Sequence, residues 1–354
     1  MSSKAKRFWT PGPVIVGAGP SGLAAAACLK ERGVPSLIIE KESCLASLWK
    51  LKIYDHLQLH LPKQFCQLPY VPFPREYPAY PSGQQFITYM EAYANHFEIE
   101  PLLGQEVQWA KYDAAMGHWR VKTHEYEFMC RWLIVATGEN EVPVLPKIPG
   151  ISEFRGRLLH TSTYKNGVEF RASKVLVVGC GNSGMEISFD LCKNGAQVSL
   201  VVRDKVHILP KKILGRSSFA ISVWLLKWFP VDVVDRFLLF CSRLVLGDTK
   251  QIGIQRPKMG PLQWKNSVGK TPVLDDGAFA KIKSGEIKEA SLFNQKNNNN
   301  PQDSYPKNWK GKNGVYSVGF ARQGLLGISM DAHKVADDIA SQWNSETRHL
   351  WLDS

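Results

Sequence analysis

The chain has 354 residues and a mass of 39.8 kDa, beyond the roughly 250–300 residues at which a single hydrophobic core stops growing. A single small module is therefore excluded, and two domains, or one domain with a large insertion, are expected. With 44% hydrophobic and 21% charged residues, the chain can bury a sizeable core and lacks the composition of a disordered protein.

The chain is basic, with 44 Lys and Arg against 32 Asp and Glu, a net charge of +12 and a pI near 9.3. Such a balance suits a nucleic acid, an anionic membrane surface or a phosphate-rich cofactor. No run of five Lys or Arg residues occurs. We therefore expect no nucleic-acid partner, while peripheral membrane contact is compatible with the charge.

Cysteine usage indicates a reducing compartment. The seven cysteines show no CxxC spacing, which predicts free thiols in a cytoplasmic chain, no metal site and no redox-active disulfide. They lie at positions 28, 44, 66, 130, 180, 192 and 241.

No membrane-spanning segment is expected. The most apolar region, from Phe219 to Leu246, is interrupted by charged residues and by Pro230, so it falls short of the roughly 20 apolar residues of a spanning helix. The N-terminus also lacks the apolar stretch of a secretion signal.

The first part of the chain predicts a strand–turn–helix–strand unit. A β-branched strand at 14–16 precedes a glycine-rich turn, a helix at about 23–32 and a second strand at 36–40. Further on, a helix is predicted at about 84–96 and strands at 107–112, 119–123, 126–129 and 133–138.

The same pattern occurs a second time. A strand at 174–178 precedes a second glycine-rich turn, a helix to about Asn194 and a strand at 198–203. The sequence therefore predicts an α/β fold with two Rossmann-like dinucleotide-binding domains, the second inserted into the first. The predicted limits are 1–150 for an FAD-binding domain, 151–288 for an NADPH-binding domain and 289–354 for the return to the FAD domain.

Each glycine-rich turn matches GxGxxG between a strand and a helix, the context that distinguishes a dinucleotide site from an ordinary βα turn. The first glycine makes the tight turn, the second lets the backbone approach the pyrophosphate, and the third permits close helix–strand packing. The predicted cofactor-binding residues of the first turn are Gly17, Ala18, Gly19, Pro20, Ser21 and Gly22. Those of the second turn are Gly179, Cys180, Gly181, Asn182, Ser183 and Gly184.

The residue that ends each second strand indicates which nucleotide binds. Glu40 lies where a carboxylate accepts hydrogen bonds from a free ribose diol, which suits FAD. Arg203 lies at the matching place in the second unit and favours the 2′-phosphate of NADPH over NADH. The alternative for Arg203 is an ordinary surface arginine at a strand end.

The second unit is predicted to be incomplete. In the first unit the strand at 133–138 ends 119 residues after Gly19, and the same offset from Gly181 falls at Asn300 in a run of asparagines. No strand-like apolar run is apparent between Val268 and Val315. The sequence therefore predicts that the later strands of the second unit are missing.

Between the two units, Phe154, Gly156, His160 and Tyr164 match FxGxxxHxxxY. This pattern resembles the identifying motif of flavin-dependent monooxygenases. On physical grounds alone, His160 is more often a hydrogen-bonded structural histidine than a proton carrier.

Further stretches resemble the plant YUCCA flavin monooxygenases over nearly the whole chain. They are LHLPKQFC at 59–66, PFP at 72–74, ATGEN at 136–140, VHILP at 206–210, GKTPVLD at 269–275, GVYSVGF at 314–320 and GLLG at 324–327.

The resemblance implies that NADPH reduces FAD and that the reduced flavin uses O₂ to convert indole-3-pyruvate, by oxidative decarboxylation, to indole-3-acetate in auxin synthesis. It also implies that the Gly319 region is a third flavin-contacting element. His60 and Asn140 are the candidate catalytic residues that the resemblance suggests. No acid–base dyad is needed, and no metal is implied.

One departure from the family concerns Lys288 and Glu289, which are adjacent here. YUCCA-like chains carry several strands between the equivalent positions, so about fifty residues are missing on this interpretation. The alternative to an active monooxygenase is therefore a non-catalytic or unstable variant lacking part of the NADPH domain. A disulfide reductase on the same plan is disfavoured, because Cys44 has no paired cysteine near the first unit.

Overall fold

The computed structural model describes residues 5–290, 309–321 and 323–352. The chain forms two compact units, the first from residues 1–53, 63–155 and 300–354, the second from residues 54–62 and 156–299. The second unit interrupts the first along the chain, so the predicted insertion of one domain into the other is confirmed.

The elements before residue 155 include the predicted strands and helices in order, with β1 and α2 in addition. They are β1 (Lys6–Trp9), β2 (Val14–Val16), α1 (Pro20–Lys30), β3 (Leu37–Ile39), α2 (Ser47–Leu51), α3 (Gly83–His96), β4 (Trp109–Asp113), β5 (His118–Lys122), β6 (Tyr126–Cys130) and β7 (Leu133–Val135).

The later elements comprise the second unit and the return to the first. They are β8 (Lys174–Val178), α4 (Asn182–Lys193), β9 (Gln197–Val201), β10 (Ile208–Pro210), β11 (Lys212–Ile213), β12 (Arg216–Ser217), α5 (Ser218–Leu225), α6 (Val231–Leu246), α7 (Pro261–Val268), β13 (Val273–Asp275), α8 (Ala278–Lys283), β14 (Ile287–Ala290), β15 (Val315–Ser317) and α9 (Gly324–Leu352).

The first unit is built on a parallel sheet with the order β15-β7-β2-β3. A second sheet, β1-β6-β5-β4, supplies Val121 and Phe128, which pack with Val14 and Leu133 of the parallel sheet. Helix α1 contacts β2 and packs against α9. Because β2 is paired on both edges and covered on both faces, Val14 and Ile15 are fully buried.

Helix α1 is rich in alanine because it lies between other elements. Ala24, Ala25 and Ala27 have no exposed surface, and their small side chains allow α1 to approach the sheet and α9 closely while retaining high helix propensity. Helix α3 begins with a capping box in which Ser82 and Gln85 satisfy each other's backbone amides. This cap explains why α3 starts at Gly83, close to the predicted residue 84.

The second unit is built on a parallel sheet with the order β14-β9-β8. One face packs against α4 and α8, with Val198 and Ile287 in the same cluster as Leu191 and Phe279. On β8, Leu176 and Val178 are 53% and 51% exposed. The other face of this sheet is therefore poorly covered, in contrast to the sheet of the first unit.

The two sheets also differ at one edge. Strand β2 pairs with β3 on one side and β7 on the other, whereas β8 pairs with β9 only, within the described residues. Neither a counterpart of β7 nor a second sheet over Leu176 occurs in the part of the chain that the structure describes. This arrangement agrees with the missing segment inferred from the sequence.

The expectation that no strand lies between Val268 and Val315 was wrong, because β13 and β14 form there. Both are short and are defined by parallel pairing, β13 with β10 and β14 with β9, rather than by an apolar run. The predicted repeat position at Asn300 lies outside the described residues.

The division into units departs from the predicted limits in two places. Strand β14 continues across the junction between Lys288 and Glu289, pairing them with Ser199 and Leu200, so the second unit extends past residue 288. Residues 54–62 also group with the second unit, through long-range contacts that sequence periodicity does not report. The assignment of the units to FAD and NADPH stays a prediction.

The poor cover on one face of the sheet β14-β9-β8 can be tested with two matched substitutions, one on each face. Leu176 is 53% exposed and Leu200 is 1% exposed, so Leu176→Thr should cost less than about 0.5 kcal/mol of unfolding free energy and Leu200→Thr about 2–4 kcal/mol. Urea titrations measure both. Light scattering should also fall in Leu176→Thr, because an apolar side chain on an edge strand is removed. Equal destabilisation by the two variants would contradict an uncovered face.

Candidate functional site: two glycine-turn nucleotide sites

The first glycine-rich turn has the geometry that only glycine permits. Gly17 has φ of +108°, and a Cβ atom there would lie 2.5 Å from the carbonyl oxygen of Ala136. A Cβ atom on Gly22 would lie 1.9 Å from the carbonyl oxygen of Gly17. The first and third glycines are therefore required by the close approach of β2, β7 and α1.

The middle glycine serves a different purpose. Gly19 caps the N-terminus of α1 with extended backbone angles, and a Cβ atom there would meet no atom within 4 Å. This open space adjoins the first amide groups of a helix, where the macrodipole and the free N–H groups favour an anion. Pro20, which lacks an N–H group, is accommodated at the first helical position. The turn thus fits the pyrophosphate of a dinucleotide.

Glu40 follows β3 and is 5% exposed. Its Oε2 accepts a hydrogen bond of 2.8 Å from the amide of Ala18, and its Oε1 accepts one of 3.0 Å from the amide of Glu42. These bonds fix the carboxylate beside the glycine turn. Because an ionised carboxylate has about four acceptor sites, Glu40 retains capacity for ribose hydroxyl groups.

The returning chain brings a further glycine to this turn. Strand β15 pairs with β7, and a Cβ atom on Gly319, at φ of +90°, would lie 2.3 Å from Oγ of Ser21. The Gly319 amide donates to Oδ2 of Asp331 at 3.3 Å, and burial raises the pKa of Asp331. The Gly319 element therefore adjoins the first glycine turn, and its contact with the flavin stays a prediction.

The second glycine-rich turn repeats the geometry of the first. Gly179 has φ of +113°, Gly181 caps α4 and faces open space, and a Cβ atom on Gly184 would lie 1.9 Å from the carbonyl oxygen of Gly179. One difference is visible, since a Cβ atom on Gly179 would meet nothing within 4 Å. The strand that crowds Gly17 has no counterpart beside Gly179 among the described residues.

Two other residues of the second turn have different surroundings: Cys180 is partly buried, and Asn182 forms a hydrogen bond to a distant strand. Burial raises the pKa of the Cys180 thiol to about 12, so this side chain stays a neutral thiol. Oδ1 of Asn182 accepts a 3.1 Å hydrogen bond from the amide of Leu274 in β13. The turn is thereby anchored to a strand more than ninety residues further along the chain.

Arg203 lies two residues beyond β9 with its side chain 68% exposed. Its Nε donates to Oδ2 of Asp204 at 3.3 Å, and Nζ of Lys270 donates to the same oxygen at 2.9 Å. The hydrogen bond from Lys270 is the main cause of a lowered pKa for Asp204. Two cations thus flank one carboxylate at the end of β9, an arrangement in which a phosphate could replace the carboxylate as their partner. Sequence reasoning missed Lys270, because only the fold brings it to Asp204.

Two carboxylates one turn apart on helix α4 hold residues of the segment at 54–62 and Tyr164, the last residue of the FxGxxxHxxxY motif. Glu186 accepts a short hydrogen bond from the hydroxyl of Tyr54. Asp190 accepts a 2.5 Å hydrogen bond from the hydroxyl of Tyr164 and lies 3.1 Å from Nε2 of His56. Tyr164 of the motif is therefore a structural residue of the second unit.

The histidine of that motif also has a structural role. His160 caps the short 3-10 helix Thr161–Thr163, with Nδ1 accepting from the amide of Ser162 at 3.2 Å. This agrees with the structural interpretation of His160 rather than with a proton carrier.

The two candidate catalytic residues lie in different units. His60 belongs to the second unit, where its Nε2 is 3.0 Å from Oε1 of Glu186 and its Nδ1 is 3.4 Å from Nδ2 of Asn182. Asn140 belongs to the first unit and is exposed. His60 is thus close to the second glycine turn, and no catalytic role for either residue follows from these contacts.

The thiols are not arranged for disulfide chemistry. All seven cysteines are free. Burial raises the pKa of Cys28 to about 11 and that of Cys130 to about 12, so both stay protonated at neutral pH, whereas disulfide exchange requires a thiolate. No described helix combines the length and apolar character needed to cross a membrane.

Comparison with solved structures identifies the class of the fold. The chain is similar to a flavin-containing monooxygenase from Stenotrophomonas maltophilia, with a TM-score of 0.65 and 18% identity over 95% of this chain and 99% of that chain. It is also similar to cyclohexanone monooxygenase bound to ε-caprolactone, with a TM-score of 0.73 and 13% identity over 96% of this chain and 89% of that chain. The structure of OTEMO with FAD and NADP gives a TM-score of 0.71 and 15% identity over 97% and 86% of the two chains. The fold is that of the flavoproteins with two dinucleotide-binding domains.

Comparison with known sequences defines the family. Residues 14–214 match the model of the pyridine nucleotide-disulphide oxidoreductases. The chain is 48% identical to the indole-3-pyruvate monooxygenase YUCCA6 of Arabidopsis thaliana, over 98% of this chain and 94% of that protein. It is 48% identical to YUCCA1 of Oryza sativa subsp. japonica, over 97% and 95% of the two proteins. The chain belongs to the YUCCA family of indole-3-pyruvate monooxygenases.

The alignment with YUCCA6 also bears on the missing segment. It spans 393 positions, 39 more than the 354 residues of the whole chain. YUCCA6 therefore carries residues that have no counterpart here. Their location between Lys288 and Glu289 stays a prediction.

The open space beside Gly19 and Gly181 allows each nucleotide site to be tested without disturbing the fold. Gly19→Val should fold normally but lower bound flavin at least about tenfold, because its side chain enters the pyrophosphate position. Gly181→Val should keep its flavin and lose reduction by NADPH. The flavin content of purified protein, read by absorbance, measures the first effect. Full flavin in Gly19→Val would contradict the assignment of the first turn.

Proposed function

We propose that this chain is an FAD- and NADPH-dependent monooxygenase that converts indole-3-pyruvate to indole-3-acetate, with O₂ as the second substrate. The observation that carries the proposal is the 48% identity to indole-3-pyruvate monooxygenases over 98% of the chain. The two glycine turns, each with open space at its middle glycine, support the use of two dinucleotides.

The first unit is proposed to hold FAD. The amide groups at the start of α1 bind the pyrophosphate next to Gly19, and Glu40 accepts hydrogen bonds from the ribose. Gly17 and Gly22 allow the strand and helix to approach closely enough to form this cradle, and Gly319 brings the returning chain against Ser21.

The second unit is proposed to hold NADPH. The amide groups at the start of α4 bind its pyrophosphate next to Gly181, and Arg203 binds the 2′-phosphate with Lys270 as a second cation. Both cations already contact Asp204, so the phosphate takes the place of that carboxylate as their partner. Bound together, the cofactors supply the transfer of electrons to O₂ and the oxygenation of the substrate.

Two further proposals concern the candidate catalytic residues and the location of the chain in the cell. His60 and Asn140 are candidates for contact with the flavin or the substrate. We place the chain in the cytoplasm, with peripheral contact to a membrane surface as an additional property.

A second candidate function is favoured by one observation, the poorly covered sheet of the second unit. With Leu176 and Val178 about half exposed, the second unit has less packing to hold its NADPH site than the first has for FAD. The alternative is therefore a member of the family that binds FAD but couples NADPH to oxygenation weakly or not at all.

The nucleotide preference can be measured by anaerobic reduction of the bound flavin with NADPH and with NADH. Arg203→Ala and Lys270→Ala should each lower the preference for NADPH about five- to tenfold, since each removes a charged hydrogen bond worth about 1 kcal/mol or more. Asp204→Asn should raise the affinity for NADPH, because it frees both cations from a competing carboxylate. Unchanged preference in Arg203→Ala would remove the role given to that residue.

The two candidate functions differ in what a restored segment would do. We expect a chain with the missing segment inserted between Lys288 and Glu289 to form indole-3-acetate much faster than the chain as it stands, because a central parallel strand and its cover would be regained. Both proteins are assayed side by side with NADPH and indole-3-pyruvate, with flavin content as the control. Equal rates would show that the second unit functions without the segment.

A further inference from the structure

Helices α5 and α6, together with the turn that joins them, carry an unusual set of exposed apolar side chains. They include two tryptophans and three phenylalanines. We call six of these residues the apolar hairpin surface: Trp224 at 59%, Trp228 at 72%, Phe229 at 47%, Phe237 at 39%, Phe240 at 59% and Leu244 at 70% exposed. Exposed apolar residues of this size and number on one supersecondary unit mark an interaction site rather than ordinary surface variation.

These side chains are not displaced core residues, because both helices already bury another face. In α6, Val234, Leu238 and Cys241 pack in a core cluster with Ile221 and Leu225 of α5. Phe237, Phe240 and Leu244 follow the i, i+3, i+7 spacing on the exposed side of α6. Helix α6 is therefore apolar on two faces, one of them turned to solvent.

A third feature lies just before α5. Strands β11 and β12 form a tight antiparallel hairpin, and Leu214 at its tip is 99% exposed with φ of +48°. Lys212 and Arg216 flank this leucine and are exposed. A leucine presented at the tip of a hairpin between two cations suits insertion into an interface that is apolar inside and anionic outside.

The charge of this region points to the kind of partner. From 212 to 246 the chain carries five basic residues and two acidic ones. One acid, Asp235, is buried and caps α7 through the amides of Leu262 and Gln263. The other, Asp232, pairs with Arg236 at 3.0 Å. The exposed charge is thus positive, carried by Lys212, Arg216, Lys227 and Arg243.

We propose that the apolar hairpin surface docks on an anionic lipid bilayer, with the tryptophans and phenylalanines at the headgroup level and the basic residues on the lipid phosphates. Amphipathic helices with aromatic residues and cations bind membranes in this way. A second copy of the chain fits less well, because self-association would bring the same excess of positive charge together from both sides. The surface shares no residue with either glycine turn, and its docking does not depend on the bound cofactors.

The test is flotation of the purified, flavin-loaded protein with vesicles of phosphatidylcholine alone and with 30 mol% phosphatidylserine. We expect binding to the anionic vesicles at least about tenfold stronger than to the neutral ones, and weaker binding as salt shortens the Debye length. Trp228→Ser combined with Phe240→Ser should reduce binding at least about tenfold. Lys227→Gln and Arg243→Gln should each reduce it about fivefold on anionic vesicles only.

The matched control is Trp9→Ser, which removes a tryptophan that is 57% exposed in the first unit and should leave vesicle binding unchanged. Far-ultraviolet circular dichroism and flavin content verify that every variant is folded. Absence of vesicle binding by the unmodified protein, or equal binding by the Trp228→Ser, Phe240→Ser variant, would overturn the proposal. So would a dimer in sedimentation velocity that this variant abolishes, since it would make a second copy the occupant. Loss of monooxygenase activity would not alter these readouts.

Discussion

The structure depends on the pairing of a central parallel strand on both of its edges. In the first unit β2 lies between β3 and β7, and this places the carbonyl oxygen of Ala136 where any side chain on Gly17 would collide with it. The nucleotide turn is therefore shaped by a neighbouring strand as well as by its own glycines. A parallel strand buried on both faces needs this support, because its polar backbone groups have no access to water.

The second glycine turn keeps the close contact within its own strand–turn–helix unit but has, among the described residues, no counterpart of the approach of Ala136 to Gly17. Gly184 approaches Gly179 at the same distance as Gly22 approaches Gly17, because this contact lies within one strand–turn–helix unit. The contact that depends on a neighbouring strand has no counterpart beside Gly179 in the described chain. The glycine turn can thus form without the neighbouring strand, but it lacks the close contact that Ala136 makes beside Gly17. We expect this difference in packing to affect catalysis more than the recognition of a nucleotide, since catalysis needs reacting atoms to be held within about half an ångström.

Local patterns allowed most of the fold and the geometry of both glycine turns to be predicted. The strand at 14–16 and the helix near 84–96 agree with β2 and α3, because alternation, capping and glycine turns act over a few residues. Contacts between distant residues were not predictable in this way. The pairing of Lys270 with Asp204 spans 66 residues, and the bond between Tyr54 and Glu186 spans 132. The polar strand β14 was missed because one of its faces is not buried, so its sequence lacks an apolar pattern.

The net charge of +12 could serve the binding of cofactor phosphates or of an anionic surface. Phosphate groups are held at helix N-termini, where the charge comes from backbone dipoles and few cations are needed. Arg203 and Lys270 are the two cations that we propose for the 2′-phosphate of NADPH, and Asp204 lies between them. The basic residues of the hairpin formed by α5 and α6 adjoin exposed aromatic side chains instead. Because solubility alone would favour polar residues in place of Trp228 and Phe240, the combination of cations with exposed aromatic rings is better explained by a surface that is partly apolar and partly anionic.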